Sequence, residues 1–187
     1  MRVIAGKAKR LQLKTPTGMD TRPTTDRIKE TLFNMIQDEL YDIHFLDMFS
    51  GSGGIGIEAL SRGASYATFV DKSKDSIKLI KENSIKTKLH EKCSIIQLDY
   101  LDFIKRNVNT KYDLIFLDPP YALNMYQPAL RSLLENDCLK NSTLIICESD
   151  FNDLFENDFE LRSQFSIKKQ SKYSKTVITI LGLVDEE

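Results

Sequence analysis

Five short apolar runs, at 43–49, 66–71, 94–98, 112–118 and 143–147, punctuate the chain. Between them lie stretches near 54–62, 74–88, 100–106 and 125–135 in which apolar residues recur at helical spacing. Runs of that length between polar or glycine-containing segments predict buried strands. Their alternation with helices predicts an α/β architecture, a mostly parallel sheet covered on both faces. Near the C-terminus, 165–170 and 176–183 are two β-like runs joined by a polar turn, which predicts an antiparallel hairpin on the sheet edge. Upstream, Ile28, Leu32, Met35, Ile36 and Leu40 follow Pro23-Thr24-Thr25-Asp26 at helical spacing and predict a helix running through Leu40. Before that helix, Val3-Ile4-Ala5 and Leu11-Gln12-Leu13 flank Gly6, with Pro16-Thr17-Gly18 behind them, a pattern for a small β-hairpin. The expected organisation is an N-terminal basic extension, 1–24, followed by one α/β domain, 25–187.

Composition narrows the class. A chain of 187 residues, 41% hydrophobic and 28% charged, suits one globular domain. No apolar run approaches the roughly 20 residues that span a bilayer, and the N-terminus lacks the apolar core of a secretion signal. A cytoplasmic protein without a membrane partner is expected. Cys93, Cys138 and Cys147 are odd in number, and no Cys or His pair stands at metal-ligand spacing, so reduced thiols and no metal are expected. His44 and His90 are isolated and read as structural or solvated.

Charge is segregated. Residues 1–29 hold eight bases (Arg2, Lys7, Lys9, Arg10, Lys14, Arg22, Arg27, Lys29) against Asp20 and Asp26, a net of +6 in a chain whose total is −1. A second basic stretch, Arg162, Lys168, Lys169, Lys172 and Lys175, follows an acidic one, 148–160, with six acids and no base. Such asymmetry points to a face for a polyanion, or else to solvated faces that keep the protein soluble.

Candidate chemistry sits at the predicted strand ends, where ligands bind in open α/β sheets. Leu46-Asp47-Met48-Phe49-Ser50-Gly51-Ser52-Gly53-Gly54-Ile55-Gly56 places a Gly51-x-Gly53-x-x-Gly56 loop between the first strand and its helix, with Phe49 and Ser52 in the lining. The glycines alone suit a nicotinamide site equally well. Asp47 discriminates, because a carboxylate there repels a pyrophosphate but suits the ammonium of a methionine moiety. Asp71, about 20 residues beyond Gly51, is placed to accept from both ribose hydroxyls, and Asp99 from an adenine amino group. Asp71 and Asp99 also precede helical patterns, so each is equally a candidate helix cap. Together the three acids predict an S-adenosylmethionine site.

The run 112–118 ends in Asp118-Pro119-Pro120-Tyr121. Two prolines cannot continue a central ladder, so the chain turns out of the sheet there. The Asp118 carboxylate and the Pro119 carbonyl are two acceptors for the N–H groups of an exocyclic base amine. The proline rings hold that carbonyl in place, and Tyr121 offers a stacking face. The nucleophile expected from this tetrapeptide is a base nitrogen.

Arg2-Val3-Ile4-Ala5-Gly6, the run Thr21-Arg22-Pro23-Thr24-Thr25-Asp26-Arg27 with Lys29-Glu30-Thr31-Leu32-Phe33-Asn34, the 47–58 loop and Asp118-Pro119-Pro120-Tyr121 together resemble the RsmD family, bacterial methyltransferases of guanine N2 in 16S ribosomal RNA. The resemblance implies a class I, Rossmann-like fold with a seven-stranded sheet whose last strand is antiparallel, and S-adenosylmethionine as methyl donor. It also implies 16S rRNA within an assembling or assembled 30S subunit as substrate, with the chain expected to be a monomer. Asp47, Gly51, Gly53, Gly56, Asp71 and Asp99 fall at the family's cofactor positions, and Asp118, Pro119, Pro120 and Tyr121 at its amine-holding positions. RNA backbone is then expected on Lys7, Lys9, Arg10, Arg22 and Arg27, with Lys172 and Lys175 of the second basic stretch. One departure is Tyr173-Ser174-Lys175-Thr176, where the family often carries Tyr-Gly-Asp-Thr. Adenine-N6 methylation uses the same tetrapeptide and stays a rival, as does a non-catalytic RNA-binding protein. A nicotinamide oxidoreductase is opposed by Asp47, and glutamine methylation by Asp118, where such enzymes carry Asn.

Overall fold

The computed structural model describes residues 1–16, 26–120 and 125–184. Its seven strands form one mixed sheet, mostly parallel, in the order β3-β2-β1-β4-β5-β7-β6. The chain divides into two compact units, Met1–Asp99 and Tyr100–Glu187.

The first unit contains α1 (Asp26–Met35), β1 (His44–Met48), α2 (Gly54–Arg62), β2 (Tyr66–Asp71), α3 (Lys74–Lys86) and β3 (Cys93–Gln97). β1 pairs parallel with β2, and β2 with β3, in registers that set Asp47 beside Phe69 and Asp71 beside Gln97. The last four residues of β1 are all buried, which an alternating one-faced strand does not show and a strand covered on both faces does. α3 starts at Ser73, whose hydroxyl accepts from the Ser76 N–H at 3.4 Å. The expected helix through Leu40 is shorter: α1 stops at Met35 and a 3-10 turn occupies Gln37–Glu39. Ile36 and Leu40 stay 2% exposed all the same. Their burial continues the apolar spacing past the point where the helix ends.

The N-terminal hairpin forms, with one isolated antiparallel bridge between Arg2 and Gln12. Val3 N–H donates to Leu11 O at 3.0 Å, and Arg10 N–H to Val3 O at 2.8 Å. Its turn lies on α2. Lys7 N–H donates to the Ser61 carbonyl at 2.8 Å, Ala8 N–H to the Ser61 hydroxyl at 2.9 Å, and that hydroxyl to Ala5 O at 2.6 Å. Gly6 is required there: its φ is +79°, and a Cβ would meet the Ser61 carbonyl oxygen at 1.8 Å.

The second unit contains α4 (Tyr100–Arg106), β4 (Tyr112–Leu117), α5 (Tyr126–Glu135), β5 (Leu139–Ser149), α6 (Phe159–Ser163), β6 (Phe165–Tyr173) and β7 (Thr176–Leu183). β4 and β5 are parallel, whereas β7 runs antiparallel to both β5 and β6. Seven of the eight residues of β7 are buried, while β6 exposes Lys168, Lys169 and Lys172. Lysines along an edge strand oppose pairing with another chain. β5 starts earlier than expected, since Leu139 pairs with Tyr112 across an irregularity and the Thr143 hydroxyl donates to Tyr112 O at 2.6 Å. α6 carries too little apolar pattern to be predicted. Asp158 caps it, accepting from Leu161 N–H at 3.0 Å, and pairs with Arg131 of α5 at 2.8 Å.

Candidate active site

The three acids Asp47, Asp71 and Asp99 stand at the same end of three adjacent parallel strands: Asp47 within β1, Asp71 as the last residue of β2, and Asp99 two residues past β3. Asp47 is 1% exposed, and its Oδ2 accepts from Gly56 N–H at 2.9 Å, clamping the first turn of α2 onto β1. Burial pushes its carboxyl up from 3.8 to about 7; the Gly56 N–H opposes that shift and the neighbouring Asp71 charge adds to it. Gly56 is needed for close approach, since a Cβ there would lie 2.4 Å from the Phe69 ring and 3.1 Å from Asp47 Oδ2.

Asp71 holds the other side of the loop. Its Oδ2 accepts from Gly51 N–H and its Oδ1 from Ser73 N–H, each at 2.8 Å. The cap of α3 is therefore Ser73, not Asp71. Each oxygen keeps further acceptor capacity, so the clamp and a contact with a hydroxyl are compatible. Asp99 is half-buried immediately before α4.

Between these acids the loop is unusually constrained. Phe49 carries a φ of 67°, a left-handed conformation that costs a bulky residue of order 1–3 kcal/mol. Ser50, which no pattern in the sequence singles out, holds the loop against β2: its N–H donates to Val70 O at 3.0 Å and its hydroxyl accepts from Val70 N–H at 2.9 Å. The same hydroxyl donates its one proton towards Asp47 O, with Val70 O at 3.1 Å as the alternative acceptor. Gly53 N–H then turns back to Ser50 O at 2.7 Å, Ser52 is buried, and no side chain caps α2. A Cβ built on Gly51 would meet nothing within 4 Å, so the loop borders open space there. A buried carboxylate, a helix start without a side-chain cap and an open glycine fit the amino-acid end and ribose of S-adenosylmethionine, and an acid beside the loop disfavours a pyrophosphate.

In the second unit β4 ends at Leu117, and Asp118, Pro119 and Pro120 follow outside the strand. Asp118 is half-buried, Pro119 buried and Pro120 exposed. Tyr121 lies outside the described residues, as does Arg22. Among the described residues, no group of three or more His, Cys, Asp or Glu is arranged to hold a metal ion. All three cysteines are free, and burial pushes their thiols up, away from the thiolate form. Among the described residues, no helix is long and apolar enough to cross a membrane.

The basic residues separate by role. Lys7, Lys9 and Arg10 are exposed on the hairpin turn, Arg27 is exposed on α1, and Lys172 and Lys175 are exposed on β6 and the β6–β7 turn. Three bases counted in the N-terminal charge are paired: Arg2 with Asp26 at 2.9 Å, Lys14 with Glu82 at 2.7 Å, and Lys29 with Glu58 at 3.2 Å. Both partners of the last pair are fully buried, and burial lowers the Lys29 pKa although Glu58 opposes it. Glu58 also accepts from Ile4 N–H at 2.8 Å, Ala5 N–H at 2.9 Å and Arg62 Nε at 2.8 Å. It docks the extension on α2, a role signalled in the sequence only by an acid inside the apolar run Ile55–Leu60. Asn83 was missed as well. It continues the Ile77 and Ile80 stripe of α3, where a buried polar residue demands partners.

The chain matches the family described as "Conserved hypothetical protein 95" over residues 1–182. It is 38% identical over 152 residues to "Ribosomal RNA small subunit methyltransferase D" of Haemophilus influenzae, covering 80% of this chain and 79% of that protein. The solved Escherichia coli protein yhhF superposes with a TM-score of 0.84 at 26% identity, covering 98% of this chain and 97% of that one. A solved protein described as a candidate methyltransferase, complexed with S-adenosylhomocysteine, has a TM-score of 0.66 at 20% identity, over 81% of this chain and 49% of its own, a likeness of fold. A family match that runs from the docked extension to the last strand, together with those relatives, means that this chain belongs to the RsmD family of methyltransferases.

Proposed function

We propose that this protein transfers a methyl group from S-adenosylmethionine to the exocyclic N2 of a guanine in 16S rRNA of the small ribosomal subunit. The Asp118-Pro119-Pro120 turn, which leaves the sheet directly after β4 in a chain whose first unit holds the clamped glycine loop, supports transfer to a base amine, and the 38% identity to a small-subunit rRNA methyltransferase D supports 16S rRNA as the target. S-adenosylmethionine supplies an activated methyl on a sulfonium, so the protein's work is orientation and stabilisation of charge. Asp47 faces the ammonium, Asp71 the ribose hydroxyls and Asp99 the adenine amine, with Phe49, Gly51, Ser52, Gly53 and Gly56 forming the loop around them.

At the acceptor, the Asp118 carboxylate and the Pro119 carbonyl take the two N–H groups of the guanine amine. This favours a pyramidal nitrogen whose lone pair is no longer spread into the ring, and Tyr121 stacks on the base. The proton lost from the methylated nitrogen goes to Asp118 or to water. Lys7, Lys9, Arg10, Arg22 and Arg27 of the N-terminal region, and Lys172 and Lys175, contact phosphate. The basic extension, 1–24, is the RNA-binding part and 25–187 the methyltransferase domain. The substrate particle is the assembling or assembled 30S subunit, and the chain acts as a monomer in the cytoplasm.

The test is to incubate the purified protein with methyl-labelled S-adenosylmethionine and 30S subunits lacking the modification, then digest the rRNA and identify the nucleoside by mass spectrometry. N2-methylguanosine is expected. Label in N6-methyladenosine, or none in rRNA, overturns the reading.

A further inference from the structure

We infer that Asn83 is a positioning residue that ties the basic N-terminal extension to the donor loop, so that donor occupancy strengthens RNA binding and the reverse. The inference rests on the function proposed above and adds a coupling to it. Asn83 lies on α3, is fully buried, and makes three side-chain hydrogen bonds to two segments distant in sequence. Its Oδ1 accepts from Lys14 N–H at 2.8 Å. Its Nδ2 donates to Lys14 O and to Ser52 O, each at 2.9 Å.

One amide therefore reads both backbone groups of Lys14 and, with its remaining hydrogen, fixes a carbonyl of the donor loop. Only a group with one acceptor and two donors in a plane can do this. A carboxylate would set its oxygens against two carbonyls, and an aliphatic side chain would strand buried polar groups at about 1–3 kcal/mol each. Ser52 stands between Gly51, held by Asp71, and Gly53, held by Ser50, so displacement of its carbonyl is felt across the loop.

The extension is anchored at its other end as well. Ile4 and Ala5 dock on Glu58, and Lys7 and Ala8 on Ser61, both on the helix whose first turn supplies Gly56. Lys9 and Arg10 lie between those anchors and Lys14, and Lys7, whose backbone is one of the anchors, is exposed beside them. A ligand that shifts the Ser52 carbonyl thereby acts on the extension proposed to meet phosphate, and thermodynamic linkage makes the effect reciprocal.

The experiment uses the full chain, S-adenosylhomocysteine and 30S subunits. In the natural protein, saturating S-adenosylhomocysteine should tighten 30S binding about fivefold or more. Asn83→Ala and Asn83→Asp should each bring that factor close to one while both ligands still bind singly, a change that general destabilisation does not produce. Hydrogen exchange on the natural protein needs no variant: S-adenosylhomocysteine should slow exchange at the Ala8, Arg10 and Leu13 amides as well as in the 51–56 loop. Protection confined to the loop, or a coupling factor unchanged in the folded variants, overturns the inference and leaves the proposed function standing. If the natural protein binds neither ligand, the proposed function falls and the inference with it.

Discussion

Asp47 carries the sharpest residue-scale consequence. A carboxyl raised from 3.8 to about 7 binds a proton in the folded state that the unfolded chain has released. Its burial therefore costs nothing below about pH 4, lowers stability progressively as pH rises towards 7, and leaves the full penalty above that. Asp47→Asn keeps an acceptor for Gly56 N–H and removes the buried charge. Thermal unfolding should find the variant close to the natural protein at pH 4.5 and more stable at pH 8; an equal loss at both pH values would show that the carboxylate is not held as a penalised buried charge. The acid stands out in the sequence as a candidate site residue because it lies near the end of a strand beside a glycine loop. Its clamp on Gly56 does not, since a backbone partner nine residues away leaves no pattern in the sequence.

At the scale of elements, the extension and α2 are joined through buried charge. Glu58 gathers Lys29, Arg62 and two backbone N–H groups in a site from which water is excluded. Glu58→Leu strands the Lys29 ammonium and should cost about 3–5 kcal/mol in denaturant unfolding. Adding Lys29→Met to that variant should recover part of the loss, because the charge that lacked a partner is gone; a double variant no better than Glu58→Leu would contradict the pairing. Lys29 reads as one more surface base in the charge count, and only the meeting of α1 with α2 turns it inward. The overestimated length of α1 has a related cause. Ile36 and Leu40 bury at helical spacing whether the backbone between them is α-helical or a 3-10 turn, so apolar spacing marks the buried face better than the helix end.

Across the whole molecule, the Gly51–Gly56 loop belongs to Met1–Asp99 and the Asp118 turn to Tyr100–Glu187. That division makes the proposed roles separable. Asp118→Ala should lower kcat at least 100-fold while S-adenosylhomocysteine affinity, measured by calorimetry, stays within about twofold, since removing a transition-state acceptor typically costs 10²–10³. A parallel loss of donor affinity would assign Asp118 to the donor instead.

Much of this architecture is determined by the amino-acid sequence alone. Buried parallel strands must be apolar along their length, helices between them must repeat near 3.6, and Asp118-Pro119-Pro120 must end a ladder because proline lacks the N–H to continue it. Seven strands, the hairpin extension and the three acids at strand ends follow from such local demands. What the tertiary structure decided is who satisfies whom. Ser50 on Val70, Asp71 on Gly51, Glu58 on Ile4 and Ala5, and Asn83 between Lys14 and Ser52 are pairings of polar groups up to 69 residues apart. Hydrogen-bond partners are chosen by proximity after folding. Periodicity along the chain records which faces are buried, and it contains no term for which distant backbone group a buried polar side chain will meet.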